Sequence, residues 1–202
     1  MKIACVGYRD WALKIYDAIQ ERFLDFKFLR VNDRETFDES KLREFCPDIV
    51  LFYGWSWIIK KELIEDFKCI MLHPSPLPKY RGGSPIQNQI IRGEKASAVT
   101  LFIMDSGIDT GDIVAQEEIS LSGTMEDIFA RITETGTRLT YDILSNGMKS
   151  RPQDHSKMTV YKRRKPGDSE ITVDELAQKD GEYLYNKIRM LASPYPNAYI
   201  RS

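Results

Sequence analysis

Residues 48–55 read DIVLFYGW, and from Ile49 to Tyr53 the run is apolar without a break. A strand with one wet face alternates apolar and polar residues. A short unbroken run is expected of a parallel strand whose two faces are both covered by helices. This stretch therefore predicts the centre of a layered α/β sheet, and the flanking sequence supplies the alternation that such a sheet requires.

Upstream, residues 2–8 predict a buried first strand. Trp11 to Phe23 predict a helix, with Trp11, Ile15, Ala18, Ile19 and Phe23 at helical spacing. Phe26 to Val31 read as a second strand and Asp38 to Phe45 as a short helix. Downstream come a helix from Lys60 to Phe67, a strand from Cys69 to His73, and a helix opened by Pro85 and running to about Arg92. Two β-prone stretches follow, Ala98 to Met104 and Ile113 to Leu121, joined by the turn DSGIDTGD. A long helix spans Met125 to Leu144. The polar, basic stretch from Gly147 to Asp168 reads as a linker or excursion, and a last helix covers Val173 to Ala192. The order predicts an α/β fold with a doubly wound, mostly parallel sheet. Residues 1–150 form the main domain and 151–202 a short C-terminal extension.

The chain has 202 residues, 29 Lys and Arg against 30 Asp and Glu, and a net charge of −1. That balance argues against broad nucleic-acid binding, which needs a basic excess or patch, and the run Lys162-Arg163-Arg164-Lys165 reads as a solvated loop. No apolar run approaches the length of a bilayer span, and the N-terminus lacks the pattern of a signal peptide. Cys5, Cys46 and Cys69 have no metal-ligand spacing and read as reduced thiols of a cytoplasmic protein. The first turn, GYRDW, has one glycine where a dinucleotide clamp needs three.

In open parallel sheets ligands bind beyond the carboxyl ends of the strands. His73 falls at such an end, and the topology can bring it together with Asp109 and the loop Tyr53 to Ile59. A carboxylate beside an imidazole fixes its orientation and makes a positioned acid or oxyanion stabiliser, which suits acyl transfer. The competing reading makes His73 a satisfied core histidine and Asp109 a turn former.

The string HPSPLPKYRGGSPIQNQI, then Gly93-Glu94, Val99-Thr100 and DSGIDTGDI, resembles the folate-dependent formyltransferase family. YGWSWII (53–59), YKRRKPGDSEI (161–171) and IRMLASPYPNAY (188–199) extend the likeness over nearly the whole chain. The resemblance implies a Rossmann-like sheet, 10-formyltetrahydrofolate as co-substrate, no metal, and an Asn-His-Asp triad. His73 would then donate to the oxyanion and Asp109 would hold the imidazole. The asparagine position is Met71, and a thioether has no proton to give. Either a nearby amide (Gln87, Asn88 or Gln89) takes over, or His73 and a backbone N–H suffice, or the chain is a catalytically impaired relative.

For the folate the resemblance implies Trp55, Trp57, Ile58, Ile59, Met104, Asp105, Ile108 and Asp109, with core packing the competing role for the two tryptophans. For the acceptor it implies Ser75, Lys79, Tyr80 and Arg81. Because the chain stops soon after PYPNAYI and carries no net positive charge, the expected acceptor is a nucleotide-linked amino sugar for surface glycan synthesis. No nucleic-acid or membrane partner is expected, and a homodimer is admitted. A methionyl-tRNA-type formyltransferase fragment, or a hydrolase releasing formate, is the alternative.

Overall fold

The computed structural model describes residues 1–193 and 195–201. Pro194, within the SPYPNAYI stretch, and Ser202 lie outside the described residues. In chain order the elements are β1 (Lys2–Val6), α1 (Asp10–Arg22), β2 (Lys27–Val31), α2 (Glu39–Phe45), β3 (Ile49–Tyr53), α3 (Lys61–Asp66) and β4 (Cys69–His73). There follow β5 (Arg81–Gly82), α4 (Pro85–Ile90), β6 (Ala96–Ile103), β7 (Ile113–Ser120), α5 (Met125–Asn146), β8 (Val160–Tyr161), α6 (Val173–Gln178) and α7 (Gly181–Arg189).

The main sheet has the order β2-β1-β3-β4-β6-β7. Its first four strands are mutually parallel, and β6 and β7 run antiparallel to their neighbours. All five residues of β3 are buried, as its unbroken apolar run requires. Val50 and Phe52 pack with Leu42 of α2 and Leu63 of α3 on one face. Leu51 and Tyr53 pack on the other with Ile15 and Ile19 of α1 and Ile128 and Ile132 of α5. The α5 helix starts at a capping box, in which the Thr124 side chain and Asp127 satisfy each other's free N–H groups.

The chain order reverses between β1 and β3, which opens a crevice beyond their carboxyl ends. Just beneath it the fully buried Tyr16 fastens the two strands. Its hydroxyl lies 2.9 Å from the Leu51 carbonyl and 3.0 Å from that of Val6, and accepts from the Tyr53 N–H at 2.8 Å.

One segment departs from the sequence expectations, and another takes one of the two forms expected of it. The expected helix 173–192 is divided into α6 and α7, because Asp180 caps a fresh start by accepting from the Tyr183 N–H. The stretch 147–168 is an excursion that docks back on the chain. Arg151 and Ile113 exchange backbone hydrogen bonds at 2.9 Å, and β8 adds in parallel to β5 to make a second, two-stranded sheet. Gly82, at φ +92°, lies so close to the Tyr161 carbonyl that a Cβ would overlap it.

Candidate active site

Residues leaving the carboxyl ends of β1, β3 and β4 line a single cleft of about 1280 Å³, which the loop 104–109, the start of α4 and residues 160–166 complete. Side chains alternate along β4, so Cys69, Met71 and His73 share one face. Cys69 is covered by Leu63 of α3, while Met71 and His73 reach the cleft. A smaller groove of about 660 Å³, walled by apolar residues such as Met125, Ile188 and Tyr199, lies apart from these groups.

His73 is buried, and its Nε2 is 2.8 Å from the Tyr80 carbonyl oxygen. A carbonyl can only accept, so Nε2 carries the proton and the tautomer is fixed. Nδ1 then faces Asp109, whose Oδ2 is 3.6 Å away and accepts from the Gly82 N–H at 2.7 Å. In the neutral ring Nδ1 is a proton acceptor. The expected oxyanion donation by His73 is not what this tautomer offers: its one N–H is spent on Tyr80, and Nδ1 is left facing Asp109.

Asp109 arrives by an indirect route. The chain leaves β6 with the Met104 N–H bonded to the Cys69 carbonyl at 2.8 Å, at the far end of β4, and folds back to reach His73. Asp105 Oδ1 shapes the turn by accepting from the Gly107 N–H and the Thr110 hydroxyl, at 3.0 and 2.6 Å. Gly111 passes so close to the Ile103 carbonyl that a Cβ would overlap it. Asp109 itself sits at φ +53°, a left-handed conformation that aspartate tolerates at some cost.

The three amides of α4 separate cleanly. Asn88 Nδ2 donates to the carbonyls of Gly83 (2.8 Å) and Lys162 (3.3 Å) and lies off the cleft wall, which removes it as a catalytic donor. Gln89 Nε2 donates to the carbonyls of Pro74 and Pro85, both at 3.0 Å. Gln87 lines the cleft, is 2% exposed, and has no partner for Nε2 or Oε1 among the described residues.

The residues assigned to the folate, Trp55, Trp57, Ile58, Ile59, Met104, Asp105, Ile108 and Asp109, all stand on the cleft wall. Trp55 is packed by Phe37, Tyr8 and Trp57, and its Nε1–H has no partner among the described residues. Trp57, Ile58 and Ile108 are exposed at the cleft mouth, Ile58 almost completely.

The acceptor set is corrected. Ser75 is fully buried, with its hydroxyl bonded to the Lys79 carbonyl at 2.9 Å. Tyr80 stacks on Tyr161 and donates to Glu94 at 2.7 Å; burial, then the bond to Glu94, push its hydroxyl far above the ordinary range. Arg81 is 1% exposed and holds Gln153. Lys79 is exposed but off the cleft wall. These residues build the turn. The cations on the cleft wall are instead Arg9, Lys60, Lys61 and the run Lys162 to Lys165, of which Lys60 and Lys61 pair with Glu39 and Glu65. The near-zero net charge concealed that clustering, and the docking of 160–165 that produces it has no local sequence signal beyond the β-prone Thr159-Val160-Tyr161. No group of three or more His, Cys, Asp or Glu side chains arranged to hold a metal is found among the described residues. No helix among them is long and apolar enough to cross a membrane.

The cleft lies at the switch point of a mixed sheet, with an imidazole and a carboxylate paired on its wall. Residues 15–144 match the Formyl transferase family, and the chain belongs to it. It is 35% identical over 177 residues to the methionyl-tRNA formyltransferase of Sulfurimonas denitrificans, covering 86% of this chain and 56% of that protein. The chain thus spans about half the length of the curated relatives it matches. The methionyl-tRNA formyltransferase structure from Clostridium thermocellum superimposes with a TM-score of 0.91 at 34% identity, covering all of this chain and 88% of that one. A sugar N-formyltransferase from Shewanella superimposes with a TM-score of 0.80 at 18% identity, covering all of this chain and 93% of that one, and shares the fold alone.

These likenesses overturn two expectations, the nucleotide-sugar acceptor and the exclusion of nucleic acid. Both rested on the length of the chain and its overall charge. Where cations sit matters more to a polyanion than their sum.

Proposed function

We propose that the cleft transfers a formyl group from 10-formyltetrahydrofolate to the α-amino group of an aminoacyl residue carried on tRNA. The observation that carries this reading is the buried His73–Asp109 pair on the cleft wall, Nδ1 to Oδ2 3.6 Å. The acceptor follows from relatives at 35% identity that are methionyl-tRNA formyltransferases, and the basic rim of Lys60, Lys61 and Lys162 to Lys165 suits phosphate contacts.

The wall fits a folate: a flat heterocycle with polar edges suits a slot with the apolar sides Trp55, Ile59 and Met104 and an unpaired indole N–H. The folate supplies the formyl carbon; the amine nitrogen forms the new C–N bond and the bond to N10 breaks. His73 Nδ1 takes the proton that the attacking amine sheds as its C–N bond forms, and Asp109 steadies the charged ring. The Tyr80 carbonyl keeps that ring from turning. The same proton returns to the leaving nitrogen, so the pair ends as it began. Charge developing on the formyl oxygen needs a donor, and the Gln87 amide, unspent and on the same cleft wall as Met71 and His73, is the one assigned to it.

The test is formyl transfer from 10-formyltetrahydrofolate to methionyl-tRNA, followed by mass spectrometry of the aminoacyl product. Formylmethionine is expected, reduced about 10²–10⁴-fold in His73→Ala and Asp109→Asn, the range of general acid–base catalysis. Folate binding with no formylated product would overturn the transferase reading and leave an impaired relative.

A further inference from the structure

The Asp109 turn is held by a residue from the excursion as well as by its own hydrogen bonds. Gln153 Nε2 donates to the carbonyls of Asp109 and Gly111, at 3.0 and 2.7 Å. Gln153 Oε1 accepts from Arg81 Nε and Nη2, at 3.2 and 2.6 Å. A guanidinium offers donors and no acceptor, and a carbonyl the reverse, so the amide has one permitted orientation. Both side chains are buried, Gln153 at 4% and Arg81 at 1% exposure. The cation polarises the amide oxygen and strengthens the two N–H donors on the other side.

The next residue after Arg81 is Gly82, whose N–H donates to the Asp109 carboxylate. Two consecutive residues of β5 thus hold Asp109 at both ends, Gly82 at the side chain and Arg81, through Gln153, at the main chain. Asp109 has φ +53° and needs such support, because the aim of its carboxylate follows its backbone. We propose that Gln153 is a positioning residue that sets the approach of Asp109 to His73. The proposal rests on the reading of that pair as the transfer centre.

Gln153→Glu and Gln153→Leu in the full chain test it. Glutamate keeps an acceptor for Arg81, and improves it with a charge, but sets oxygen against the Asp109 and Gly111 carbonyls. A residue needed for packing or for the Arg81 charge would tolerate glutamate. A positioning residue would not: in both variants kcat falls about 10- to 100-fold, as misplacement of a reacting group does, while KM for each substrate and tetrahydrofolate affinity by tryptophan fluorescence hold. A Gln153→Glu enzyme with wild-type kcat, or with raised KM and intact kcat, overturns the proposal. The chain has two histidines, so their imidazole proton resonances give a second readout that needs no turnover. The His73 resonance moves in Gln153→Glu if Asp109 is displaced and stays fixed if the proposal is wrong. Should wild type form no formylated product, the reading of the centre fails, and the resonance still decides the role of Gln153.

Discussion

Replacing Gln87 by leucine separates catalysis from stability, because the two should move in opposite directions. The Gln87 amide is buried in the cleft wall without a partner among the described residues. An unmet polar group of this kind costs the folded protein about 1–3 kcal/mol, and leucine carries no polar atom to leave unmet. The melting temperature should therefore hold or rise, by roughly 2–4 °C per kcal/mol for a chain of this size. Catalysis should suffer: losing one oxyanion donor costs about 2.7–4 kcal/mol, or about 10²–10³ in kcat. KM should change little, since the interaction forms as charge develops. The assays are thermal denaturation and steady-state formylation of methionyl-tRNA. Met71→Asn in the Gln87→Leu background should restore part of the rate, because residues 71 and 73 share a face of β4. A kcat within about threefold of wild type would refute Gln87 as the donor and leave a backbone N–H to do it. A lower melting temperature would show that the amide has a partner in the folded protein.

Tyr16→Phe removes the hydroxyl that the buried Tyr53 N–H donates to, and should cost about 1–3 kcal/mol, read from urea midpoints. Burial raises the Glu175 carboxyl, but bonds from Lys187, the Thr172 N–H and Tyr183 outweigh it and bring it from 4.5 to about 2. The folded value is depressed, so this contribution is present above pH 4.5 and fades as pH falls toward 2. Glu175→Gln should flatten that part of the stability–pH curve measured by urea titration. Burial pushes the Cys5 thiol to about 12, with Arg30 opposing, and the Cys69 thiol to about 12. Cys46 is exposed, so iodoacetamide at neutral pH should label Cys46 in the native protein and all three thiols in urea, by peptide mass spectrometry.

The sheet was legible because burial on both faces of β3, and the helical spacing of Ile15 and Ile19, leave periodic marks on the sequence. The strand-end position of His73 and the turn chemistry of DSGIDTGD were local too. What escaped was whatever depends on distant segments meeting. Arg81 reads as an acceptor-binding cation until Gln153 covers it, and Asn88 looks as suited to catalysis as Gln87 until the carbonyls of Gly83 and Lys162 claim it. The apolar spacing of 173–192 continues across the cap at Asp180, so the sequence shows one helix where the chain forms two. The acceptor was not legible in the composition, which sums charge over the chain, whereas the cleft gathers it from residues 9, 60–61 and 162–165.

The bonds that finish the site bridge long stretches of chain: Tyr80 to Thr159, Gly82 to Asp109, Asp109 to Gln153. The parallel strands β1 to β4 take none of their ladder bonds from the excursion. Gentle heating should then detach residues 151–161 as a cooperative unit before the sheet melts. Activity would fade at temperatures where circular dichroism still records a folded protein, and would return on cooling as fast as one short strand can find its place.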